Sequence, residues 1–451
     1  MFIKKVKVNS YRGLEDLEIN FFQPSYEYFG NLRISIVVGE NGVGKSSLFK
    51  FLANKLSLTK FRQDSLQPEG EIEYEMNGDF FQYKNTSEYP EIYPKKIIVS
   101  SFSAFDPYDI YGMQKNIDNE NQLSYSKYIY LGPSDRGFSS LENVIEAIIE
   151  LLFTLSNRKE KFYSYYNLLN KIKVERAEGI SIDLYNLRKL RDKIRNVNND
   201  DNVENFIKVL NVLEEKINNI RKVISNRTFK LYNIKYRYTI IPMDIFVHEI
   251  LSIYKEYASH EFSIPIIKDI VFLNKTGSNV LLSELSSGEI TMLFRFLPLV
   301  KEIEDNSIIL IDEPETHLHP KWTREFISYL ESLFSDYKVH VMIATHSPVI
   351  ASDVPMECII GLKYEEGVIE QYKPKDRTLG GDSSQLLLDV FELENLESIG
   401  ALKSIRLIEK LLEQSQPTTE QVIEARKLYR DLSSTTEKYQ LYKRYKNFLG
   451  E

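Results

Sequence analysis

The sequence lacks the features that mark secreted, membrane and polybasic proteins. A single cysteine, Cys358, stands among 451 residues, so no disulfide can form within the chain, which suits a reducing cytoplasm. No stretch reaches the roughly 18 apolar residues of a membrane span, and the first residues, MFIKKVKVNS, do not form the apolar run of a signal peptide. The formal net charge of −8 leaves only a local patch for nucleic acid. We therefore expect a soluble cytoplasmic protein.

The strongest positive signal is the stretch 39–46, GENGVGKS, which fits the phosphate-binding pattern G-x-x-x-x-G-K-[S/T]. An apolar strand is predicted before it and a helix after it, which argues against a glycine-rich turn that binds nothing. Backbone N–H groups and the helix N-terminus would face phosphate oxygens. Lys45 is expected to reach the β- and γ-phosphates, and Ser46 to bind Mg²⁺. The predicted nucleotide-binding residues of this P-loop are Gly39, Asn41, Gly42, Gly44, Lys45, Ser46 and Ser47.

A second motif is the apolar stretch 307–312, SIILID, which is followed by Glu313. It has the form of a Walker B strand. Asp312 is expected to hold Mg²⁺, and Glu313 to orient and deprotonate the attacking water. Alone, this pattern also fits an exposed acidic loop after a strand. Beside a P-loop it indicates nucleotide hydrolysis.

A third motif, LSSGE at 285–289, opens a predicted helix. Serine hydroxyls and backbone N–H groups at a helix N-terminus can bind an anion, although a plain helix cap is the alternative. A second phosphate site within one subunit has no obvious use. We therefore expect this motif to face the γ-phosphate held by another subunit. Its predicted nucleotide-binding residues are Ser286, Ser287, Gly288 and Glu289.

A fourth motif, ATHS at 344–347, ends another apolar strand. His346 is predicted to contact the γ-phosphate or to polarise the attacking water. A lone histidine is more often structural, but the position after an apolar strand and downstream of Walker B favours a functional role. Glu313 and His346 are thus the two predicted catalytic residues.

These four motifs, in this order, resemble the head of an ABC-type ATPase, of the branch that contains the SMC, Rad50 and RecF proteins and the OLD (overcoming lysogenization defect) ATPases. The motif sequences are similar to those of the OLD-like group at three places: GENGVGKSSL, DEPETHLHP and ATHSP. The stretch 378–400 is similar to the tail of the ATPase subunits of Septu-type and some retron-associated antiphage systems. The resemblance implies ATP and Mg²⁺ as cofactors. It also implies a dimer of two copies of the chain, with ATP sandwiched between P-loop and LSSGE.

The resemblance adds two further site residues. Arg12, in the turn after the first predicted strand, is expected to lie near the nucleotide. SSFSAFDPY, at 100–108, occupies the place of the Q-loop but has no glutamine there. Ser101 or Ser103 is therefore expected to approach Mg²⁺.

The fold implied is an α/β ABC-type P-loop ATPase head, with a mixed central sheet flanked by helices, a helical insertion and C-terminal helices. We predict an N-terminal lobe at 1–138, a helical insertion at 139–255, a C-terminal lobe at 256–375 and a helical region at 376–451, which is a candidate for partner docking. Apolar residues at intervals of three and four predict a helical hairpin in the insertion, either an ordinary subdomain or a functional arm.

Three functional classes compete. A transporter ATPase is disfavoured, because 184 positions separate Ser101 from Leu285 and no membrane segment is predicted. A DNA repair or recombination ATPase of the Rad50 or RecF kind is the alternative. The favoured interpretation is an ATPase that senses or regulates in antiphage defence while a partner does the damage.

The effector is expected to be encoded separately. Only about 80 residues follow Tyr372, and their pattern is helical, which does not fit a Toprim nuclease. Four of the six histidines lie in the Walker B and His-loop region, which leaves too few for an HNH nuclease. We therefore predict no nuclease site in this chain and an HNH-type nuclease as partner, with a Toprim protein or a reverse-transcriptase assembly as alternatives.

Overall fold

The computed structural model describes most of the chain. The described residues are 1–24, 27–57, 68–84, 93–101, 108, 127–132, 141–157, 161–194, 201–224, 238–316, 318–374, 377–381, 386–387, 390–391, 399–413, 417–433 and 436–450. The chain divides into two compact units, Met1–Ser383 and Ser384–Glu451. In the part of the chain that is described, no helix combines the length and apolar character needed to cross a bilayer.

The strands described in the first unit form three sheets. They are β1 (Phe2–Tyr11), β2 (Leu14–Asn20), β3 (Arg33–Gly39), β4 (Glu69–Met76), β5 (Asp79–Tyr83), β6 (Lys96–Ser101), β7 (Lys127–Leu131), β8 (Val174–Asp183), β9 (Tyr238–Pro242), β10 (Ile267–Asn274), β11 (Asn279–Leu281), β12 (Ile308–Asp312), β13 (His340–Ala344), β14 (Ile359–Glu365) and β15 (Val368–Tyr372). The sheet orders are β2-β1-β4-β5, β11-β10-β8-β9 and β15-β14-β3-β13-β12-β6-β7.

The seven-stranded sheet is the centre of the fold. Its strands from β14 to β7 pair in parallel, and only β15 is antiparallel to its neighbour. Strands β12 and β13 are buried at every position, as expected for strands covered on both faces. The predicted mixed central sheet is therefore confirmed.

The first antiparallel sheet has two tight turns between its strands. Asn77 and Gly78 join β4 to β5 with φ values of 56° and 95°, the conformation of a tight hairpin turn. Arg12 and Gly13 join β1 to β2, also with positive φ. Strand β1 alternates buried and exposed side chains over most of its length, so one face of this sheet packs on the core.

The helices lie around the sheets of the first unit and form the second. They are α1 (Lys45–Ser57), α2 (Leu141–Asn157), α3 (Phe162–Lys171), α4 (Leu184–Ile194), α5 (Asp201–Ile224), α6 (Met243–Ile245), α7 (Leu251–Ser259), α8 (Ser287–Glu302), α9 (Pro320–Arg324), α10 (Phe326–Phe334), α11 (Pro348–Ala351), α12 (Ile399–Leu412), α13 (Thr419–Asp431) and α14 (Thr436–Leu449). A π-helical turn, Phe246–Ile250, joins α6 to α7.

The predicted insertion at 139–255 is not purely helical. It contains β8 and β9, and β8 pairs with β10 of the predicted C-terminal lobe. The pair of helices expected there is present as α4 and α5. Their buried leucines and isoleucines form the seam, and Arg191 donates to the Glu214 carboxylate at 2.8 Å. Arg191 therefore has an ion-pair partner within the chain.

The second unit has an apolar core of its own. Among the described residues of this unit, those buried between α12, α13 and α14 include Ile408, Leu412, Ala425, Leu441 and Leu449. Helix α13 begins with the predicted capping box, in which the Thr418 hydroxyl accepts from the Gln421 N–H and the Gln421 side chain accepts from the Thr418 N–H. The second predicted capping box, at 434–437, lies partly outside the described residues.

Candidate functional site

Four parallel strands bring the predicted motifs to one edge of the central sheet. In the strand register, Val37 pairs with Ala344, Ala344 with Asp312, and Asp312 with Ser101. Each of the four strands leads into one motif at this row. Asp312 of Walker B and Ser101 of the Q-loop segment stand in the row, and the His-loop and the P-loop begin just after Ala344 and Val37. The carboxyl ends of parallel strands are where an open α/β sheet forms a ligand site. Motifs more than 200 residues apart in sequence thus start side by side.

The P-loop backbone depends on two glycines. Gly39 has a φ of 150°, and a Cβ atom there would lie 2.3 Å from the Leu362 carbonyl oxygen of β14. Gly44 has a φ of 93°, and its Cβ would lie 2.4 Å from Leu14. The loop is therefore held close to its neighbours on both sides, which only residues without a side chain permit.

Lys45 is buried beneath this loop. Its ammonium group donates to the carbonyl oxygens of Gly39 and Glu40, both at 2.9 Å. Burial lowers the pKa of Lys45 to about 8, and the carboxylates of Asp312, Glu313 and Glu315 oppose that shift. The pKa of Lys45 therefore lies close to neutral pH, and a nearby polyanion would favour the charged form of the lysine.

Asp312 ends β12 almost fully buried. Its Oδ2 accepts from the Tyr108 hydroxyl at 2.8 Å, and the Ser46 hydroxyl is a second hydrogen-bond partner of its carboxylate. Burial raises the pKa of Asp312, and these two hydrogen bonds counteract the rise.

Two buried oxygens lie at the adjoining ends of β12 and β6. Among the described residues, Asp312 Oδ1 and the Ser101 hydroxyl have no hydrogen-bond partner. Uncompensated buried oxygens are costly unless another group satisfies them. A carboxylate and two hydroxyls are hard oxygen ligands, so these residues fit Mg²⁺.

Glu313 follows directly in a strained conformation. Its φ is 49°, which is uncommon for a residue with a side chain. The N–H of Glu313 donates to the Ala344 carbonyl at 2.9 Å, and Thr316 donates to a side-chain oxygen of Glu313 at 3.5 Å. Strain of this kind is found at active sites, where surrounding contacts hold the residue in place.

Glu315 connects the Walker B loop to the His-loop. Its carboxylate accepts from the Thr345 hydroxyl at 2.8 Å and from the His346 N–H at 2.7 Å. Burial raises the pKa of Glu315, which these hydrogen bonds oppose. Burial and then the charge of Lys45 lower the pKa of His346, so its imidazole is neutral at neutral pH. The sequence interpretation gave Glu315 no role.

The turn at Arg12 contacts the start of the P-loop helix. The Ser47 hydroxyl donates to the Arg12 carbonyl oxygen at 3.4 Å. Gly44 packs against Leu14, just after the same turn. Arg12 therefore lies beside the P-loop, as the prediction requires.

The LSSGE motif forms the N-terminal cap of α8. Ser286 caps α8: its hydroxyl and N–H donate to the Glu289 carboxylate at 2.7 and 2.9 Å. Gly288 packs against Trp322 of α9. Ser286 and Ser287 are exposed. Among the described residues, no hydrogen bond joins this motif to the P-loop.

Arg295 links the same helix to the Walker B loop. Its buried guanidinium donates to the carbonyl oxygens of Pro314 and Thr316. Burial lowers the pKa of Arg295 to about 9, against the charge of Glu315.

The structure thus brings the predicted P-loop, Walker B, Ser101, Arg12 and His-loop residues together, whereas among the described residues no hydrogen bond joins LSSGE to the P-loop. Ser103, the alternative to Ser101, lies outside the described residues. Sequence reasoning missed Tyr108, Glu315 and Arg295. Tyr108 and Glu315 stand inside quoted motifs, but nothing in their spacing indicated that their side chains would be buried in the site.

A family comparison identifies the first 351 residues. They match the model of the AAA ATPase domain family, which covers more than half of the chain. The chain belongs to this family.

Similar curated proteins agree with the ATPase domain. The chain is 24% identical over 394 residues to protein ea59 of Escherichia phage lambda, covering 86% of this chain and 62% of that protein. It is 27% identical over 169 residues to the retron Vc95 probable ATPase of Vibrio cholerae serotype O1 biovar El Tor, covering 35% and 32%. It is 23% identical over 362 residues to the Septu protein PtuA of Bacillus mycoides (strain KBAB4), covering 77% and 38%.

The chain therefore spans less than two thirds of the length of each of these relatives. Septu and retron ATPases are the group that the stretch 378–400 resembled. The recognition of this ATPase domain from its sequence is thereby confirmed.

Proposed function

We propose that this ATPase domain binds and hydrolyses ATP between two copies of the chain and regulates a separately encoded nuclease in antiphage defence. The row from Val37 to Ser101, which aligns the ends of four strands, carries the proposal. It puts a phosphate loop, a buried carboxylate and a candidate base at one edge of the sheet.

Binding begins with the P-loop. Its backbone N–H groups and the N-terminus of α1 attract phosphate oxygens, and Lys45 contributes the positive charge. Phosphate oxygens would replace the two carbonyls that the ammonium group now contacts. Ser46, Asp312 and Ser101 are the residues that would hold Mg²⁺, which when bound neutralises phosphate charge.

Hydrolysis needs a base beside the terminal phosphate. Glu313 follows the Mg²⁺-binding Asp312 and is held by Ala344 and Thr316, so its carboxylate can orient and deprotonate water. The lowered pKa of His346 favours its neutral imidazole, and Glu315 holds its main-chain N–H, so an imidazole N–H is the group that can donate to the γ-phosphate. Both groups act by position, as is usual in phosphoryl transfer.

The proposed dimer is supported by the exposure of two motifs that can bind anions. Ser286 and Ser287 of LSSGE are exposed, and so are Glu40, Asn41 and Gly42 of the P-loop. Two anion-binding helix N-termini that do not meet within one chain can meet across a two-fold axis. ATP held by both copies would close the dimer, and hydrolysis would release it.

The regulatory role rests on the relatives. Their names connect similar chains to Septu and retron systems. An HNH-type nuclease is the partner that we propose, docked on the C-terminal helices at about 400–450 and on the insertion. Removal of the residues after about 400 should abolish co-purification of that partner; unchanged co-purification would exclude the C-terminal surface.

The chemistry is tested with two variants. Glu313→Gln should bind ATP, hydrolyse it at least 100-fold more slowly and accumulate dimers in size-exclusion chromatography, because the base is lost while the phosphate site remains. Lys45→Ala should lose nucleotide binding and stay monomeric with ATP. Parental hydrolysis by Glu313→Gln would refute the assignment of the base.

The biological role is tested by the protein that co-purifies with this chain and by the genes beside its own. A small HNH protein supports defence, and its nuclease activity should then change with ATP in the parental complex but not with Lys45→Ala. Recombination proteins in its place would favour DNA repair instead.

A further inference from the structure

Tyr108 is a fully buried side chain in the candidate site for which the motifs gave no role. Its hydroxyl donates to Asp312 Oδ2 at 2.8 Å. Its carbonyl oxygen accepts from the Tyr128 hydroxyl of β7 at 3.4 Å, and Lys50 Nζ lies 5.9 Å from the centroid of its ring. Contacts from a strand and from α1 therefore surround the tyrosine.

The two oxygens of Asp312 have different surroundings. Oδ2 accepts from Tyr108, while Oδ1 is buried and has no partner among the described residues. A carboxylate with one oxygen held cannot rotate freely about its last bond. The held oxygen thus fixes where the other one points. The Ser46 hydroxyl forms a hydrogen bond to the same carboxylate.

Hydrogen bonds to a metal-binding carboxylate orient it and tune its affinity. We propose that Tyr108 is a positioning residue, whose hydroxyl holds Asp312 in the orientation that binds Mg²⁺ with ATP. This inference rests on the proposed ATP site. The Tyr108 hydroxyl hydrogen-bonds to Asp312 and Ser46, both of them proposed Mg²⁺ ligands. Its removal should therefore change the Mg²⁺ requirement and leave metal-free nucleotide binding unchanged.

The test is Tyr108→Phe, which keeps the ring and removes the donor. The ATP-induced rise in unfolding temperature is measured in the full chain over a Mg²⁺ titration, with a non-hydrolysable ATP analogue and with EDTA as the metal-free reference. We expect the Mg²⁺ midpoint to rise about tenfold, the lower range for loss of a supporting contact to a metal ligand. Tyr128→Phe, which removes a hydroxyl whose described hydrogen bond goes to the Tyr108 carbonyl, is the matched control and should keep the parental midpoint.

Each outcome decides between the two proposals. If the parent shows no stabilisation by the nucleotide, the proposed ATP site fails. If the parent responds and Tyr108→Phe has the parental midpoint, the positioning role is overturned. A lower midpoint would also overturn it, because the hydroxyl would then compete with the metal. Should Tyr108→Phe not fold, Tyr108→Met fills the space without a donor and is titrated in the same way.

Discussion

His340 should make the stability of this ATPase domain depend on pH. The imidazole is fully buried at the start of β13, with the ring of Phe2 at 4.8 Å. Its Nδ1 accepts from the Ile3 N–H at 3.2 Å, so its proton lies on Nε2, which donates to the Ser35 hydroxyl at 2.9 Å. Protonation of Nδ1 would break the hydrogen bond to β1 and bury a charge.

Burial, with smaller contributions from the charges of the N-terminal amine and Arg33, lowers the pKa of His340 to about 3. The unfolded chain binds this proton near pH 6.5. A lowered pKa means that the contribution to stability is complete above pH 6.5 and is lost as the pH falls towards 3. Below pH 6.5 the free energy of unfolding falls by about 1.4 kcal/mol per pH unit, so about 1.4 kcal/mol is lost between pH 7.5 and pH 5.5.

The perturbation that isolates this effect is His340→Asn, whose side-chain oxygen can accept from the Ile3 N–H but does not titrate. The free energy of unfolding of parent and variant is measured in urea by circular dichroism at pH 7.5 and 5.5. Other groups titrate equally in both proteins, so the difference between them reports His340. We expect the advantage of the parent to shrink by about 1.4 kcal/mol at pH 5.5. An advantage that is constant or that grows would refute the reasoning.

Three further predictions concern the site. The affinity for ATP, measured by calorimetry, should fall by up to tenfold per pH unit above pH 8, because Lys45 loses its proton. A Lys45→Arg variant that binds ATP should show no such trend. An affinity of the parent that does not depend on pH would contradict this prediction. Gly39→Ala should lower the free energy of unfolding by about 2–5 kcal/mol in urea, because its Cβ meets the Leu362 oxygen, whereas Gly42→Ala has positive φ but open space and should cost only about 1–2 kcal/mol. Equal costs would show that the contact does not matter. Glu315→Gln should reduce kcat about tenfold or more while the Kd for ATP stays within about threefold, because one of the two acceptors that hold the His-loop is lost; a parental kcat would exclude this coupling.

Most of the site could be predicted because its signals are local in sequence. The P-loop, Walker B and His-loop each combine an apolar strand with a short polar motif, and every such strand is in the central sheet. Their order across the sheet could not be predicted, because register is set by packing between distant segments.

The misses have the same physical origin. Strand β8 pairs with β10, from which it is separated in sequence mainly by the helices α4 to α7, so local pattern favoured an all-helical insertion. Tyr108 and Glu315 act through burial and through partners about 200 and 30 residues away. Composition and spacing do not reveal such contacts, whereas a three-dimensional arrangement does.

The position of β3 between β13 and β14 has a consequence for biosynthesis. About 300 residues separate the end of β3 from the start of β13, which at ~5–20 residues per second takes roughly 15 to 60 s of translation. Throughout that time the strand before the P-loop has neither of its neighbours in the sheet and exposes apolar surface on both faces. The nascent chain therefore requires protection from aggregation. A ribosome that stops before residue 340 releases a P-loop that is complete in sequence but has no sheet to hold it.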